Sequence, residues 1–259
     1  MNVLWVFAHP EPGSLGGALR DEGITAARDA GHEVVGSDLY AMGWKAALDR
    51  ADLGIPPGDD AIGIAPESAC ALQEGRLSPD IVAEHAKLDA ADAVVFQFPL
   101  WWYGPPAILK GWFDRVLVKG YGYGVTDPDQ PGRTLRYGEG KLAGKRALVI
   151  VSSGSPAPAL GPRGINGQLD QVLFPLLHGT LFYIGMDVLP PVGVFGAMRV
   201  SDAQFAAEAD RVRAAVGGLA DTSPIPYRAQ NGGDYDHDLV LCSEIAPGEE
   251  GLGVHVSHP

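Results

Sequence analysis

The stretch DAVVFQFPLWWYGPPAILKGWFDRVL (residues 92–117) changes character in its middle. Its first part, 92–100, is a nearly unbroken apolar run, the pattern of a strand buried on both faces. Its last part, 106–117, reads as a helix. Between them stand Trp101, Trp102 and Tyr103, then Gly104, Pro105 and Pro106. A buried strand that passes through a short turn into a helix is one unit of an α/β fold. Three large aromatics where that strand ends call for a reason.

The same alternation runs along the chain. NVLWVFA (2–8) is a strand. Residues 14–30 form a helix, with Leu15, Ala18, Leu19, Ala26, Ala27 and Ala30 near the 3.6-residue period and Gly31 closing it. HEVVGSDLY (32–40) is a shorter strand, and 41–77 is an irregular, Gly/Pro-rich excursion. Ser78-Pro79-Asp80 starts a helix through residue 91. The segment 119–144 is again Gly/Pro-rich. RALVIVSS (146–153) is the fourth strand, 165–185 a long helical stretch kinked at Pro175, and 186–196 the fifth strand. An S-x-x-Q capping box opens a last helix at 201–221. Residues 1–222 are expected to form the domain, and 223–259 an extended polar tail. Strand–helix alternation with continuous apolar strands implies a parallel sheet covered on both faces. Five such strands fit a flavodoxin-like, doubly wound sheet of order 2-1-3-4-5, which binds ligands outside the carboxyl ends of its strands, where strand one meets strand three.

Composition narrows the function classes. The 259 residues are 46% hydrophobic and 20% charged, as in an ordinary globular protein. A formal net charge of −13 argues against nucleic acid and anionic membranes as partners. No apolar run approaches the ~20 residues that cross a bilayer, and MNVLWVFAHP lacks signal-peptide features, so a cytoplasmic protein is expected. The two cysteines, Cys70 and Cys242, are expected as free thiols. The seven histidines show no metal-ligand spacing. DYDHDLV (234–240) begins like a calcium loop but has Leu239 where glycine is needed and Ile245 where glutamate is needed, so it reads as a solvated turn and no metal is expected.

Three loops at strand ends carry candidate chemistry. After strand one, AHPEPGSLGGAL turns from loop to helix through Gly13, Ser14, Gly16 and Gly17. A helix start with open N–H groups holds phosphate, and His9 adds a donor; a plain Ser14 N-cap explains the same residues. After strand three, consecutive aromatics suit a flat π-ligand, although a cluster filling a gap would look alike. After strand four, Ser152, Ser153 and Gly154 offer hydroxyls and N–H groups; an ordinary Ser/Gly loop would too. The order of phosphate loop, aromatic loop and polar loop is what a flavin nucleotide requires.

SDLYAM (37–42), EGRLSPDIVAEHAKLDAAD (74–92), FQFPLWWYGPPAILKGWFDRV (96–116) and GINGQLDQVLFPLLHGTLFYIGMDVLPP (164–191) together resemble the NAD(P)H:quinone oxidoreductase, or DT-diaphorase, family of flavodoxin-like flavoproteins over about residues 1–220. The resemblance implies FAD rather than FMN, NAD(P)H as reductant, a quinone-like acceptor and a homodimer with sites at its interface. It assigns the dinucleotide phosphates to His9, Ser14, Leu15, Gly16 and Ala18. It assigns the flavin to Leu100, Trp101, Trp102, Tyr103, Ser152, Ser153, Gly154 and Ser155. Tyr123 in GYGYG becomes a substrate-side aromatic offered across the interface, although a mobile Gly-rich loop explains that motif as well. Family members carry a Tyr and a His near the flavin edge; here the matching positions are Leu160, which cannot donate, and Asn166, which donates without carrying a proton. Asn166 also fits a plain helix start. An NAD(P)H-dependent, two-electron flavin reductase with ping-pong kinetics is therefore expected, against two alternatives: a regulatory flavoprotein ancillary to ion efflux, or a specialised biosynthetic reductase.

Overall fold

The computed structural model describes residues 1–257. Strands β1 (Asn2–Phe7), β2 (Glu33–Asp38), β3 (Ala93–Pro99) and β4 (Arg146–Ser153) are parallel, and β5 (Asp187–Val188) and β6 (Val192–Phe195) both pair with β4. The order β2-β1-β3-β4-β5 is the expected doubly wound one. The α-helices are α1 (Leu15–Asp29), α2 (Ile64–Gln73), α3 (Pro79–Ala90), α4 (Ala107–Val116), the short α5 (Leu169–Val172) and α6 (Phe174–Leu176), and α7 (Asp202–Gly217).

Side chains alternate across the strands, so each strand supplies both faces. Val3, Trp5, Phe7, Val95, Leu148 and Ile150 pack under α1 and α7. Leu4, Val6, Val94, Phe96, Phe98, Val149 and Val151 pack under α3, α4 and the 173–184 segment. Close contact needs small residues at two places. A Cβ on Gly23 of α1 would lie 2.4 Å from the Trp5 ring, and one on Gly111 of α4 would lie 1.9 Å from the Ala46 carbonyl oxygen.

Three elements differ from the sequence expectation. The excursion 41–77 contains α2 and a 3₁₀ turn at Arg50–Leu53. Pro66 stands in the first turn of α2, where its missing N–H costs nothing, and only Ser68 and Ala71 of that helix are buried, too narrow a stripe to read in sequence. The long helix of 165–185 is broken: Gly167 has φ +82°, α5 starts at Leu169, and a π-helix occupies Leu177–Phe182. Pro175 removes a donor from the ladder, and Thr180 Oγ1 donates to the Pro175 carbonyl (3.1 Å). The fifth strand is split into β5 and β6 at Pro190-Pro191, because proline has no N–H to give the ladder. Among its described residues the tail lacks regular strands but folds back. Ile225 N–H donates to the Val188 carbonyl (2.7 Å), Tyr227 bridges to Val256, and Gln230 N–H donates to the Tyr137 carbonyl (3.2 Å).

Buried charge pins the excursion. Arg115 of α4, 1% exposed, donates from Nη2 to Asp52 (2.8 Å) and Asp80 (2.6 Å) and lies over the Trp44 ring at 4.4 Å. Lys45 adds a second cation at 2.7 Å from Asp52. Burial pushes the Asp52 carboxyl up, but hydrogen bonds from Arg115 and Lys45 outweigh it and hold it below the usual range. Asp80 is likewise held low: burial opposes, and Ser78 and Arg115 prevail.

Gly111→Ala should lower unfolding free energy by about 2 kcal/mol, because backbone must move to admit the methyl. Gly36→Ala, on exposed β2 with no atom within 4 Å of the new Cβ, should raise it by about 0.5 kcal/mol. Urea unfolding measures both, and equal effects would mean that the Ala46–Gly111 approach is not tight. Arg115→Leu should cost about 3 kcal/mol at neutral pH by leaving the buried Asp52 carboxylate with Lys45 as its one remaining cation. Both carboxyl pKa values are depressed in the fold, so their stabilisation is complete above the unfolded value near ~3.9 and drains as pH falls through the folded values. The deficit of Arg115→Leu should therefore narrow between about pH 5 and pH 3 as protonation relieves the stranded charge. A deficit independent of pH would place its origin in packing.

Candidate functional site

Loops from β1, β3 and β4 converge at the carboxyl end of the sheet. Phe7, His9, Gly16, Gln97, Pro99, Ser152 and Val194 line one cleft there. Gln97 is the one polar residue of a fully buried β3. It accepts from Trp5 Nε1 (3.0 Å) and donates to the Gly16 carbonyl (2.8 Å), so it fixes the start of α1 against the sheet. A lone Gln in the otherwise apolar AVVFQFP is the mark of this role in the sequence.

In the first loop, Ser14 is the N-cap of α1 and accepts from Gly17 N–H (3.1 Å). Leu15 and Gly16 N–H groups have no intrahelical acceptor and point out of the helix start. His9 Nδ1 lies 3.0 Å from both the N–H and the carbonyl oxygen of Glu11, which holds the ring at the loop with Nε2 on its far side. Gly17 is fixed by packing: a Cβ there would meet the Pro12 carbonyl oxygen at 1.9 Å. Ala18 is exposed one residue further on. Glu11, unnoticed in sequence, places its carboxylate on Gly13 N–H (3.0 Å), where an anion would compete with it.

The second loop is a tight turn. Trp101 and Gly104 exchange backbone hydrogen bonds (3.1 and 3.0 Å), and the residues between them, Trp102 and Tyr103, have φ of 51° and 61°. Left-handed backbone is uncommon for bulky residues, and two in succession mark a site where the surroundings hold strain. Trp102 is 98% exposed, with Trp101 and Tyr103 about half exposed. Leu100, before the turn, donates its N–H to the Ser152 carbonyl (2.7 Å) and packs on the core.

A polar chain ties this turn to the third loop. Tyr103 donates from its hydroxyl to Asn166 Oδ1 (2.8 Å), Asn166 Nδ2 donates to Ser155 Oγ (3.2 Å), and Ser155 N–H donates to Ser153 Oγ (3.2 Å). Asn166 thus joins the site, and it is no helix start, since α5 is capped by Gln168. Gly154 is exposed and lies against Met198, a Cβ there being 3.3 Å from Met198 Cγ. Leu160 ends a 3₁₀ turn and is 3% exposed, so its side chain packs inside the loop and offers little face to a ligand.

Tyr123 is not brought to this cleft. It lines a separate pocket of about 330 Å³ with Pro105, Phe113, Leu117, Pro175 and Tyr183. GYGYG is a set turn and not a loose loop: Gly120 N–H donates to the Tyr123 carbonyl (2.7 Å), and a Cβ on Gly122 would meet Leu117 at 2.5 Å. Its first tyrosine, Tyr121, is buried, stacks on His85 at 3.7 Å and donates to Asp89 (3.0 Å). Burial, with Asp89 beside it, pushes that phenol up and out of any proton-transfer role. Among the described residues no group of three or more His, Cys, Asp or Glu is placed to hold a metal ion, and no helix is long and apolar enough to cross a membrane.

Comparison with known proteins meets this geometry. A model of the flavodoxin-like fold matches residues 1–216. A ribosyldihydronicotinamide dehydrogenase-like protein of Penicillium crustosum is 44% identical over 257 residues, 98% of this chain and 95% of its own. NAD(P)H dehydrogenase [quinone] 1 of Rattus norvegicus is 41% identical over 194 residues, 74% of this chain and 68% of its own. The crystal structure of a candidate quinone reductase from Klebsiella pneumoniae superposes with a TM-score of 0.94 at 48% identity, covering 99% of this chain and 100% of that one. The chain belongs to the flavodoxin-like fold family, among the NAD(P)H:quinone oxidoreductases.

Proposed function

We propose that this protein is a flavin-dependent enzyme that oxidises NAD(P)H and reduces quinones or similar flat acceptors by two electrons. The observation that carries the reading is the Trp101–Gly104 turn: a strained backbone that presents a fully exposed indole beside the cleft, braced by Tyr103–Asn166–Ser155. Relatives named as dehydrogenases of NAD(P)H and ribosyldihydronicotinamide support it, and favour an enzyme over a regulatory subunit.

When bound, a flavin supplies hydride acceptance from the reduced nicotinamide and electron delivery to the quinone. The residues present fit such a group. Leu15 and Gly16 N–H groups and the His9 ring would hold phosphate at the start of α1, with Ser14 and Ala18 flanking them. Glu11 would have to leave Gly13 N–H, and its exposed side chain is free to do so. Leu100, Trp101, Trp102 and Tyr103 would exclude water from one side of the ring. Ser152, Ser153, Gly154 and Ser155 would meet its polar edge. Asn166, the catalytic candidate tied to the aromatic turn, has a second Nδ2 proton beyond that given to Ser155 and would donate it as a neutral group. Leu160 supports the loop from beneath. We assign FAD in preference to FMN, which rests on the family alone, and a cytoplasmic setting, which suits the free thiols of Cys70 and Cys242.

We also propose a homodimer. Trp102 and Ile165, 98% and 96% exposed, and Met198 form apolar surface around the cleft that a second copy would cover. That copy would offer its Tyr123 to the acceptor, the role that Tyr123 cannot fill from its own pocket in a single chain.

Purified protein should carry flavin or take it up, and acid extraction should release FAD. NADH, NADPH and dihydronicotinamide riboside, each paired with a benzoquinone, should give parallel double-reciprocal lines, as one site used twice requires. Protein that takes up no flavin, or consumes none of the three reductants, would overturn the reading. Trp102→Ala should weaken flavin retention by about fivefold, the worth of roughly 1 kcal/mol of stacking. A folded variant with unchanged flavin affinity would move the ring off this wall.

A further inference from the structure

Two consecutive glycines, Gly16 and Gly17, stand in the first turn of α1. Glycine has more backbone freedom to lose than any other residue, and first-turn N–H groups have no acceptor inside the helix. Gly17 is held by its packing on the Pro12 carbonyl. Gly16 is not. It has no positive φ, and a Cβ there would meet Ser14 Oγ at 3.6 Å, Phe7 Cε2 at 3.8 Å and His9 Cδ2 at 4.0 Å, which is ordinary van der Waals contact. Neither strain nor crowding sets Gly16.

Hydrogen bonds set it. The peptide joining Gly16 to Gly17 is gripped at both ends: its carbonyl accepts from Gln97 Nε2 (2.8 Å), and its N–H donates to Ser14 Oγ (3.1 Å). Gln97 is 3% exposed, and its amide has one orientation open to it. Its Oε1 accepts from Trp5 Nε1 (3.0 Å), and an indole N–H only donates, so the amide oxygen must face Trp5 and the amide nitrogen must face Gly16. The backbone of Gln97 adds a third tie, its carbonyl accepting from Ala8 N–H (3.0 Å) just past the end of β1. Three residues further along the chain, Leu100 leads into the aromatic turn. Gln97 thus joins the start of α1, the end of β1 and the strand that carries Trp102.

We propose that Gln97 is a positioning residue for the phosphate of the flavin nucleotide. By gripping the Gly16–Gly17 peptide it keeps the first turn of α1 ordered, with the Leu15 and Gly16 N–H groups already set for an anion, and Trp5 acts through it by fixing its amide. Binding then spends little on ordering two glycines. Removing the grip frees the turn and leaves Trp5 Nε1 buried without a partner. The proposal rests on the flavin reading above and names the residue that tunes its phosphate bed.

The test is fluorescence titration of the apoprotein with FAD and with riboflavin, which has the ring without the phosphate. Gln97→Met keeps the length and volume of the side chain and loses both hydrogen bonds. It should weaken FAD about tenfold, the worth of one hydrogen bond of upper ordinary strength. Riboflavin should bind it and the wild type alike, and the visible spectrum of FAD at saturation should be unchanged, because the aromatic turn and the Tyr103–Asn166–Ser155 chain are untouched. Trp5→Phe keeps a ring in the core, releases the Gln97 amide and should weaken FAD about threefold. If Gln97→Met does not fold, Trp5→Phe decides the matter. Unchanged FAD affinity in the folded variants would overturn the proposal. So would an equal loss for riboflavin and FAD, or an altered spectrum, since either would make Gln97 a general support of the fold. Wild-type protein that takes up no flavin overturns the reductase reading itself; wild-type protein that binds FAD no better than Gln97→Met overturns this proposal alone.

Discussion

β1 and β3 are neighbours in the sheet, yet the chain leaves them toward opposite faces. From β1 it enters α1, which packs with α7 over Trp5 and Val95; from β3 it enters α4, which packs over Val94 and Phe96. Two parallel strands that part in this way cannot have both exits closed by their own helices, so a crevice opens at their carboxyl ends. Everything proposed for flavin depends on that divergence. Gln97 stands at its base, holding Trp5 on one side and the Gly16 carbonyl on the other. It fixes how far the start of α1 stands from the strand that carries the aromatic turn.

The crevice must be held by something rigid, and much of that rigidity is polar. Glu84, fully buried, accepts from Ser37 of β2, Trp112 of α4 and Lys87 of its own helix, so three elements meet on one carboxylate. Arg115 does the same with the opposite sign, gathering Asp52, Asp80 and the Lys45 carbonyl. Such groups cost desolvation energy and repay it only when every partner is present. Their gain is geometric: α4, which follows the aromatic turn directly, has a fixed place between the sheet and the 41–77 excursion. With that end anchored, the turn can hold Trp102 and Tyr103 in left-handed backbone.

Strain and exposure occur together in that turn, and the physical reading is preorganisation. A turn whose backbone is already set loses little freedom when a ring is laid on it, so the stacking energy is not spent on ordering the loop. The Tyr103–Asn166–Ser155 chain has the same effect across loops that are distant in sequence.

The sequence alone determined the layering and the location of the site. Continuous apolar strands at 2–8, 92–100 and 146–153, separated by helical periods, admit little but a doubly wound parallel sheet, and each candidate loop follows from being at a strand's carboxyl end. The motif at 96–116 then named the family. Local pattern was enough there because those elements are long and their burial repeats. It failed where long-range contact overrides local preference. α2 exists because Ser68 and Ala71 meet the body of the protein, and Ser68 Oγ accepts from Lys119 N–H (3.3 Å). The 165–185 helix breaks because Gly167 and Pro175 yield to packing. Asn166 became a site residue only through Tyr103, 63 positions away, and Leu160 withdrew into the loop because burial favours an apolar chain over exposure. The partition of GYGYG into a core Tyr121 and a pocket-lining Tyr123 was likewise decided in three dimensions, since two tyrosines two residues apart in a turn carry no periodicity that tells inside from outside.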